Sequence, residues 1–545
     1  MTSVDERSVR DLTDATPQVS NDTRRRDVYV IFWVATGLMT IASLVRNGYI
    51  FTTAQYPGSD QALNSLLVNR AEQFQQLVGN YSRVRFHHPG PALFYILSWG
   101  QGLFHDVLHI VPAPYNGQLL AATLYGAAMI GLTLVCLYRL IGSRGATAVA
   151  FGIAFVFAAR YDMLGNVWFP FLYMAAFLLF TVASAAVAIG RTTELPLYVL
   201  GAGLLAHGHV SFLLFVAVTT VVVVAGWVWR HRHAWLAELR AHRRGVYGSG
   251  VLLGLFALPI VLETSLHYPG QWADYWTYVT HAQRTPRTFG QILDFMGQYW
   301  TTRAVPVGLS VAAAVVAVVL TATERNRERR QVFLALYGSV VLQSLLSFYY
   351  MARGVDALDR INWYVGLFYM TVPLVLVLAA TAQLWIRLTE LSAPAVPRIA
   401  TTGVAVAAVV ALSADATTMR ELAMPQVPKA GYPAIVTALR DDPARAGRTV
   451  EFDLDEHDTW PIAAGVAEES WRTGLAWCVR DGFQGLWSVL FDSSNICPSS
   501  GAANRWQVHF SYHAPLPSDA RVIVPANSRR MPVTIYSLPG HSSTS

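Results

Sequence analysis

Apolar residues in this chain come in unbroken runs, and many runs reach the ~17–25 residues that a helix needs to cross a bilayer core. Inside hydrocarbon every backbone N–H and C=O must be paired within the protein, so runs of this length read as helices. They do not alternate, which argues against a membrane β-barrel. Composition agrees: 53% of residues are hydrophobic and 14% are charged, against about 25% charged in an average soluble domain. The expected fold class is mostly α, a polytopic transmembrane helical bundle with a small C-terminal extracytoplasmic α/β domain.

About eleven spans are expected by this length criterion. They cover 28–45, 118–137, 145–159, 168–189, 195–208, 210–228, 246–263, 305–322, 331–350, 363–386 and 398–414. The segment 91–104 is too short to cross and has polar flanks, so it reads as an interfacial or re-entrant helix. With a cytoplasmic N-terminus, every dense Arg cluster falls in an inner loop, the positive-inside pattern. Counting 91–104 as a span would reverse that. The net charge of +6 comes from short Arg clusters between apolar runs, with Lys429 the single Lys. Nucleic acid is a poor explanation for such spacing. The Arg-terminated polar start, 1–27, reads as a cytoplasmic tail and not as a cleavable signal peptide. Residues 28–414 form the membrane domain, with a long first outer loop at 46–91.

The tail, 415–545, is a different kind of sequence and is expected outside the membrane. Short strands are expected at 450–454, 475–480, 507–512, 521–525 and 532–538. A helix capped by Asp458 is expected at 459–473. Of three Cys, Cys136 sits in an apolar run, while Cys478 and Cys497 can form a disulfide in an oxidising compartment or stay as two thiols.

Polar chemistry concentrates in the outer loops. Asp60 follows a Pro-Gly turn just beyond the first span, where it suits a general base or a cap for a helix at 61–78. The same loop carries Arg83, Arg85, His87 and His88 before a Pro-Gly-Pro turn. Arg beside a bilayer suits a lipid phosphate, because its planar fork binds oxyanions bidentately. Headgroup anchoring would use the same residues. Two His without a third ligand are a weak metal signal. Asp162 is a second outward carboxylate, close to Asn166 and an interfacial Trp-Phe-Pro. His207 and His209 interrupt two apolar runs, where ionisable groups are costly and usually functional. The loop 267–303 holds Trp272 and Tyr275 among other aromatics, which suit sugar binding and interface anchoring alike. Arg353 opens a mixed-charge loop with Asp356, Asp359 and Arg360.

Four of these blocks together carry a resemblance. They are Gly58-Ser59-Asp60, Tyr81-Ser82-Arg83 through His87-His88-Pro89-Gly90-Pro91, Asn166-Val167-Trp168-Phe169-Pro170 and Ala206-His207-Gly208-His209-Val210. They resemble a group of actinobacterial membrane proteins similar to the GT-C superfamily of polytopic glycosyltransferases, which use polyprenyl-phosphate sugars. The match covers roughly 28–230; beyond it only the architecture matches. The resemblance implies an inverting glycosyltransferase of the plasma membrane, with Asp60 as general base and Asp162 as a second acidic residue. Read together with the loop chemistry, this places the donor phosphate at Arg83, Arg85, His87, His88 and Arg353, and the substrate at Asn166, His207, His209, Trp272 and Tyr275. The implied partners are a polyprenyl-phosphate sugar, a cell-envelope glycan acceptor used in wall biogenesis, and membrane lipid. The chain lacks the Asp-Asp or Glu-Asp pair common in that superfamily, which counts against metal dependence and leaves a divalent cation, Mg or Mn, only as an open cofactor. A transporter or flippase of envelope precursors would instead place charges in mid-span. A non-catalytic assembly protein would tolerate substitution of Asp60.

Overall fold

The computed structural model describes residues 21–82, 84–281, 287–353, 363–391, 431–482, 485–500, 504–512, 515–526 and 532–538. The expected span at 398–414, and the residues Arg83, Asp356, Asp359 and Arg360, lie outside the described residues.

Among the described residues, seven helices are long and apolar enough to cross a membrane. They are α1 (Asn21–Arg46), α4 (Pro114–Ile141), α6 (Phe169–Ala188), α8 (Phe212–His231), α10 (Arg243–Leu266), α14 (Arg327–Ala352) and α15 (Thr371–Leu391). Three expected spans are shorter helices: α5 (Arg144–Arg160, 17 residues), α7 (Leu195–Gly208, 14 residues) and α13 (Val307–Thr323, 17 residues). The protein is an integral membrane protein.

Helix α6 is the centre of the bundle, with 89% of its apolar window buried. It packs on α4, α7, α8, α14 and α15. Small residues such as Ala175, Ala176, Ala183 and Ala186 let its neighbours approach closely. Its Ser184 hydroxyl lies 3.1 Å from that of Ser339 on α14. Helix α10, by contrast, has 6% of its window buried and presents Val251, Leu253, Leu255, Leu258 and Val261 outward, as a lipid-facing helix does. At the Arg-rich end, ion pairs tie the helix termini: Arg144 to Asp27 at 2.8 Å, Arg139 to Glu194 at 3.2 Å, and Arg329 to Glu390.

At the other end, the segment after α1 folds into α2 (Ser59–Glu72), a two-stranded ribbon of β1 (Tyr81–Ser82) and β2 (Phe86–His87), and α3 (Ala92–Gln101). α3 runs on through a π turn, Gly102–Val107. It is too short to span and packs on α2 and α4. Helix α2 ends at Glu72, short of the expected 78, because Gln73 and Phe74 turn the chain, Phe74 with a φ of 57°. The cap of α2 is Gly58, so the capping role considered for Asp60 is not the one it takes. Asp60 sits in the first turn instead, its carboxylate near the positive end of the helix dipole.

The tail adds α16 (Gly431–Asp441), β3 (Thr449–Leu454), α17 (Trp460–Arg472), β4 (Trp477–Val479), α18 (Leu486–Leu490), β5 (Arg505–Ser511), β6 (Arg521–Val524) and β7 (Thr534–Ser537). The sheet order is β4-β3-β5-β7-β6. β3 runs parallel to β4 and β5, and β7 antiparallel to β5 and β6. Strands form at all five expected places. Asp458 is a correction: it lies in a 3-10 turn, His457–Thr459, and makes no cap bond to α17. Pro461, in the first turn of α17, has no N–H to be capped. Cys478 and Cys497 are disulfide-bonded, and Cys136 is buried as a free thiol.

This domain does not build its core from the tail alone. Ala62, Leu63, Leu66 and Tyr81 of the segment between α1 and α3 pack with Tyr432, Ile435, Val450, Phe452 and Trp460 in one apolar cluster. Tyr432 is wedged between two glycines. A Cβ on Gly465 of α17 would lie 2.3 Å from its Cζ, and one on Gly58 would lie 2.6 Å from its hydroxyl. Overpacking here cannot relax into open space. Gly465→Ala is therefore expected to lower stability by about 1–3 kcal/mol, read as a lower melting temperature in detergent. An unchanged melt would mean that the Tyr432 ring swings aside freely.

Candidate functional site

The site starts from how the chain is held beyond α1. The buried Asn116 of α4 donates to the carbonyls of Ile50 (2.7 Å) and Thr53 (3.0 Å) and accepts from the Gln55 N–H (2.9 Å). This clamp fixes the extended segment that delivers Gly58 under Tyr432 and Asp60 into α2. The Tyr81 hydroxyl donates to the Asp60 carboxylate. Tyr81 is buried in the core of the tail domain, so that domain helps to hold the carboxylate in place.

Asp60 lines a cavity of about 530 Å³ between the β1–β2 ribbon and the helices of the bundle. Asn80, Ser82, His88, His209 and Arg353 supply its other polar wall. The remaining wall is aromatic and aliphatic, including Phe169, Tyr173, Phe212, Phe215, Tyr350 and Phe368. Phe212, Phe215 and Phe368 meet edge to face with ring centres 5.0–6.0 Å apart. A cavity that is mostly apolar, with a few converging polar groups, is the ordinary form of a ligand site. This one suits a molecule with a long apolar part and a charged head.

The ribbon is pinned to helix α11 (Gln271–His281). The backbone N–H of His87 donates to Gln271 Oε1 at 2.7 Å, and its carbonyl accepts from the Tyr275 hydroxyl at 2.6 Å. Phe86 packs edge-on against Tyr275 and Tyr278. The same strand pair turns His88 into the cavity. His88 and the nearby His209 are in ring contact, tilted by 38° with centres 3.9 Å apart. Arg353 ends α14 with its guanidinium over the Tyr349 ring.

The expected site residues thus divide. Asp60, His88, His209, Tyr275 and Arg353 meet at the cavity. Arg85 is exposed in the ribbon turn with a φ of 68°. His87 serves through its backbone, and its buried Nδ1 has no hydrogen-bond partner among the described residues. Asp162 lies in the turn after α5 with a φ of 51°, away from the cavity wall. The Asn166 side chain accepts from the Trp168 N–H at 2.9 Å and shapes the start of α6. His207 is buried between α3, α7 and α10, accepting from the Ala92 N–H at 3.3 Å and donating to the Phe256 carbonyl at 2.6 Å. Trp272 is half-exposed and donates to Thr264 at 3.0 Å. Tyr81, Tyr173 and Tyr350 escaped the sequence reading as functional residues. Tyr81 stood in a quoted motif without a role, and the other two lie in apolar runs that give no signal.

The fold is of the GT-C type. It aligns with crystal structures of ArnT from Cupriavidus metallidurans, in the apo state (TM-score 0.52) and bound to undecaprenyl phosphate (TM-score 0.54). Identity is 13% in each case; the alignments cover 94% of this chain and 98% and 99% of those chains. No family profile matches the chain, and no curated protein sequence matches it.

Proposed function

We propose that the protein is a membrane glycosyltransferase that moves a sugar from a polyprenyl-phosphate donor to a cell-envelope glycan or lipid acceptor, with inversion. The observation that carries this reading is the cavity, where one carboxylate, Asp60, and one guanidinium, Arg353, line the same largely aromatic chamber. The ArnT structure with bound undecaprenyl phosphate supports a lipid-phosphate ligand for a chamber on this fold.

In the reaction, the acceptor hydroxyl attacks the anomeric carbon from the face opposite the phosphate. Asp60 takes its proton, a new C–O bond forms, and the bond from that carbon to the phosphate oxygen breaks. The transition state carries oxocarbenium character. The departing phosphate gathers negative charge, which Arg353 offsets most strongly where water is excluded. The single displacement inverts the anomeric centre. The N-terminus and the Arg-rich helix ends face the cytoplasm in this reading, and the cavity and tail domain face outward.

A divalent cation does not fit the described residues at Asp60. No second carboxylate lines the cavity among them, and the neighbour of Asp60 is a phenol. The one described group with ligand atoms close enough to share an ion is Asp453, Asp455 and His509, on the sheet of the tail domain. The reaction is therefore written without a metal.

The test is a transfer assay with purified protein, labelled polyprenyl-phosphate sugars and envelope glycan acceptors. Transfer from at least one lipid-phosphate sugar is expected. Folded protein inactive across a broad donor panel would overturn the reading in favour of transport or assembly.

A further inference from the structure

His88 and His209 are fixed in an uncommon way. The Val210 backbone N–H donates to His88 Nδ1 (3.4 Å), and the Ser211 backbone N–H donates to His209 Nδ1 (3.2 Å). An imidazole that accepts at Nδ1 carries its proton on Nε2, so one short stretch of backbone sets the tautomer of both rings. Protonating either ring would turn an N–H toward an N–H. The two rings also lie against each other, tilted by 38° with centres 3.9 Å apart, where a pair of imidazolium charges would repel.

No hydrogen-bond partner for either Nε2 is found among the described residues, and both rings line the cavity. His88 is 4% exposed, so its Nε2–H is a largely dehydrated donor awaiting an acceptor. The titratable groups around the pair are His87 on the ribbon and Tyr173 on α6, with Asp60, Tyr275, Tyr350 and Arg353 along the cavity wall. No carboxylate bonds either ring among the described residues. Burial pushes His88 well below the usual imidazole range, helped by its two His neighbours, and pushes His209 down to about 4.

We infer that His88 and His209 form a paired, neutral oxyanion subsite, presenting two Nε2–H donors to the phosphodiester of a lipid-linked sugar. The inference rests on the donor reading proposed above and adds how the phosphate is held. Two neutral donors bind an anion without the desolvation cost of two buried cations. They also cannot lose their grip by titrating near neutral pH.

The experiment uses the full chain in detergent and a short-chain prenyl methyl phosphodiester as probe, with affinity measured by calorimetry. A phosphodiester does not itself titrate in this range, so any pH dependence belongs to the protein. Wild-type affinity is expected to stay level between about pH 5.5 and 8. His88→Phe and His209→Phe keep a ring but lose the donor, and each is expected to weaken binding on the order of ten-fold. His88→Gln and His209→Gln carry an amide donor to the same place and are expected to retain most of the affinity. A thermal melt of each variant separates misfolding from lost binding. Phe variants that bind like wild type overturn the subsite and leave the donor reading standing. Wild-type binding that strengthens several-fold on acidification, and loses that response in the Phe variants, overturns the neutral pair. Folded wild-type protein that binds no prenyl phosphodiester overturns both this subsite and the donor reading.

Discussion

Asp60→Asn protein is expected to transfer sugar ~10²–10⁴-fold more slowly than wild type, the usual cost of losing a positioned general base. The substitution is nearly isosteric. The Tyr81 hydroxyl that bonds the carboxylate can donate to the amide oxygen instead, so the local fold should survive. What disappears is the ability to accept the acceptor's proton. The loss should fall on kcat, with affinity for the lipid phosphate kept, because Arg353 and the His pair are untouched. The measurement is steady-state transfer alongside prenyl phosphodiester binding. Retained transfer would remove Asp60 as the base. Lost binding with lost transfer would instead make it a structural anchor between α2 and the tail domain, a role its place beside Tyr81 could also fill.

The parts of this molecule that were legible in the sequence share one property: their local pattern differs from that of their surroundings. Asp60 stood out because a carboxylate follows a Pro-Gly turn in the polar segment just beyond an apolar run. The tail strands stood out because buried and exposed positions alternate, as in β5. The aromatic wall of the cavity was hidden for the opposite reason. Phe212, Phe215 and Phe368 sit among residues that are nearly all apolar, so cavity-facing and lipid-facing positions look alike in sequence. His207 and His209 show how little spacing says about role. One residue apart, they diverge because α7 ends between them: the first is locked between helices, and the second turns to the cavity. The sharing of one core between the segment carrying α2 and the tail was also invisible, since those segments are separated in sequence by most of the bundle.

The same blind spot covers Glu468: it and its neighbour Glu469 are both buried, but Glu469 pairs with Arg472 at 2.7 Å while Glu468 is turned toward α2. From the tail domain it accepts a hydrogen bond from Ser65 of α2 at 3.4 Å. Ser65 in turn accepts from Gln118 of α4 at 2.9 Å, and Gln118 donates to Gln101 of α3 at 2.8 Å. One carboxyl thus sits at the joint between the tail domain and the helix that carries Asp60. Burial pushes its pKa from 4.5 up to about 7, with Arg472 pulling it back and Glu469 adding to the rise. Because the folded-state value is raised, the folded protein binds more protons than the unfolded chain between those two values. Stability should therefore fall as pH climbs through that window and level off above about 7. A rise of this size corresponds to about 3 kcal/mol of lost stability at alkaline pH. Glu468→Gln keeps a partner for Ser65 and cannot ionise. It should melt several degrees higher than wild type at pH 8, with the advantage shrinking toward pH 5. Glu72, whose pKa burial and Asp106 also raise to about 7, still titrates in the variant, so the difference between the two melting curves is the quantity to read. A gap that is absent at pH 8, or that does not close on acidification, would show that water reaches Glu468 and that the joint tolerates its charge.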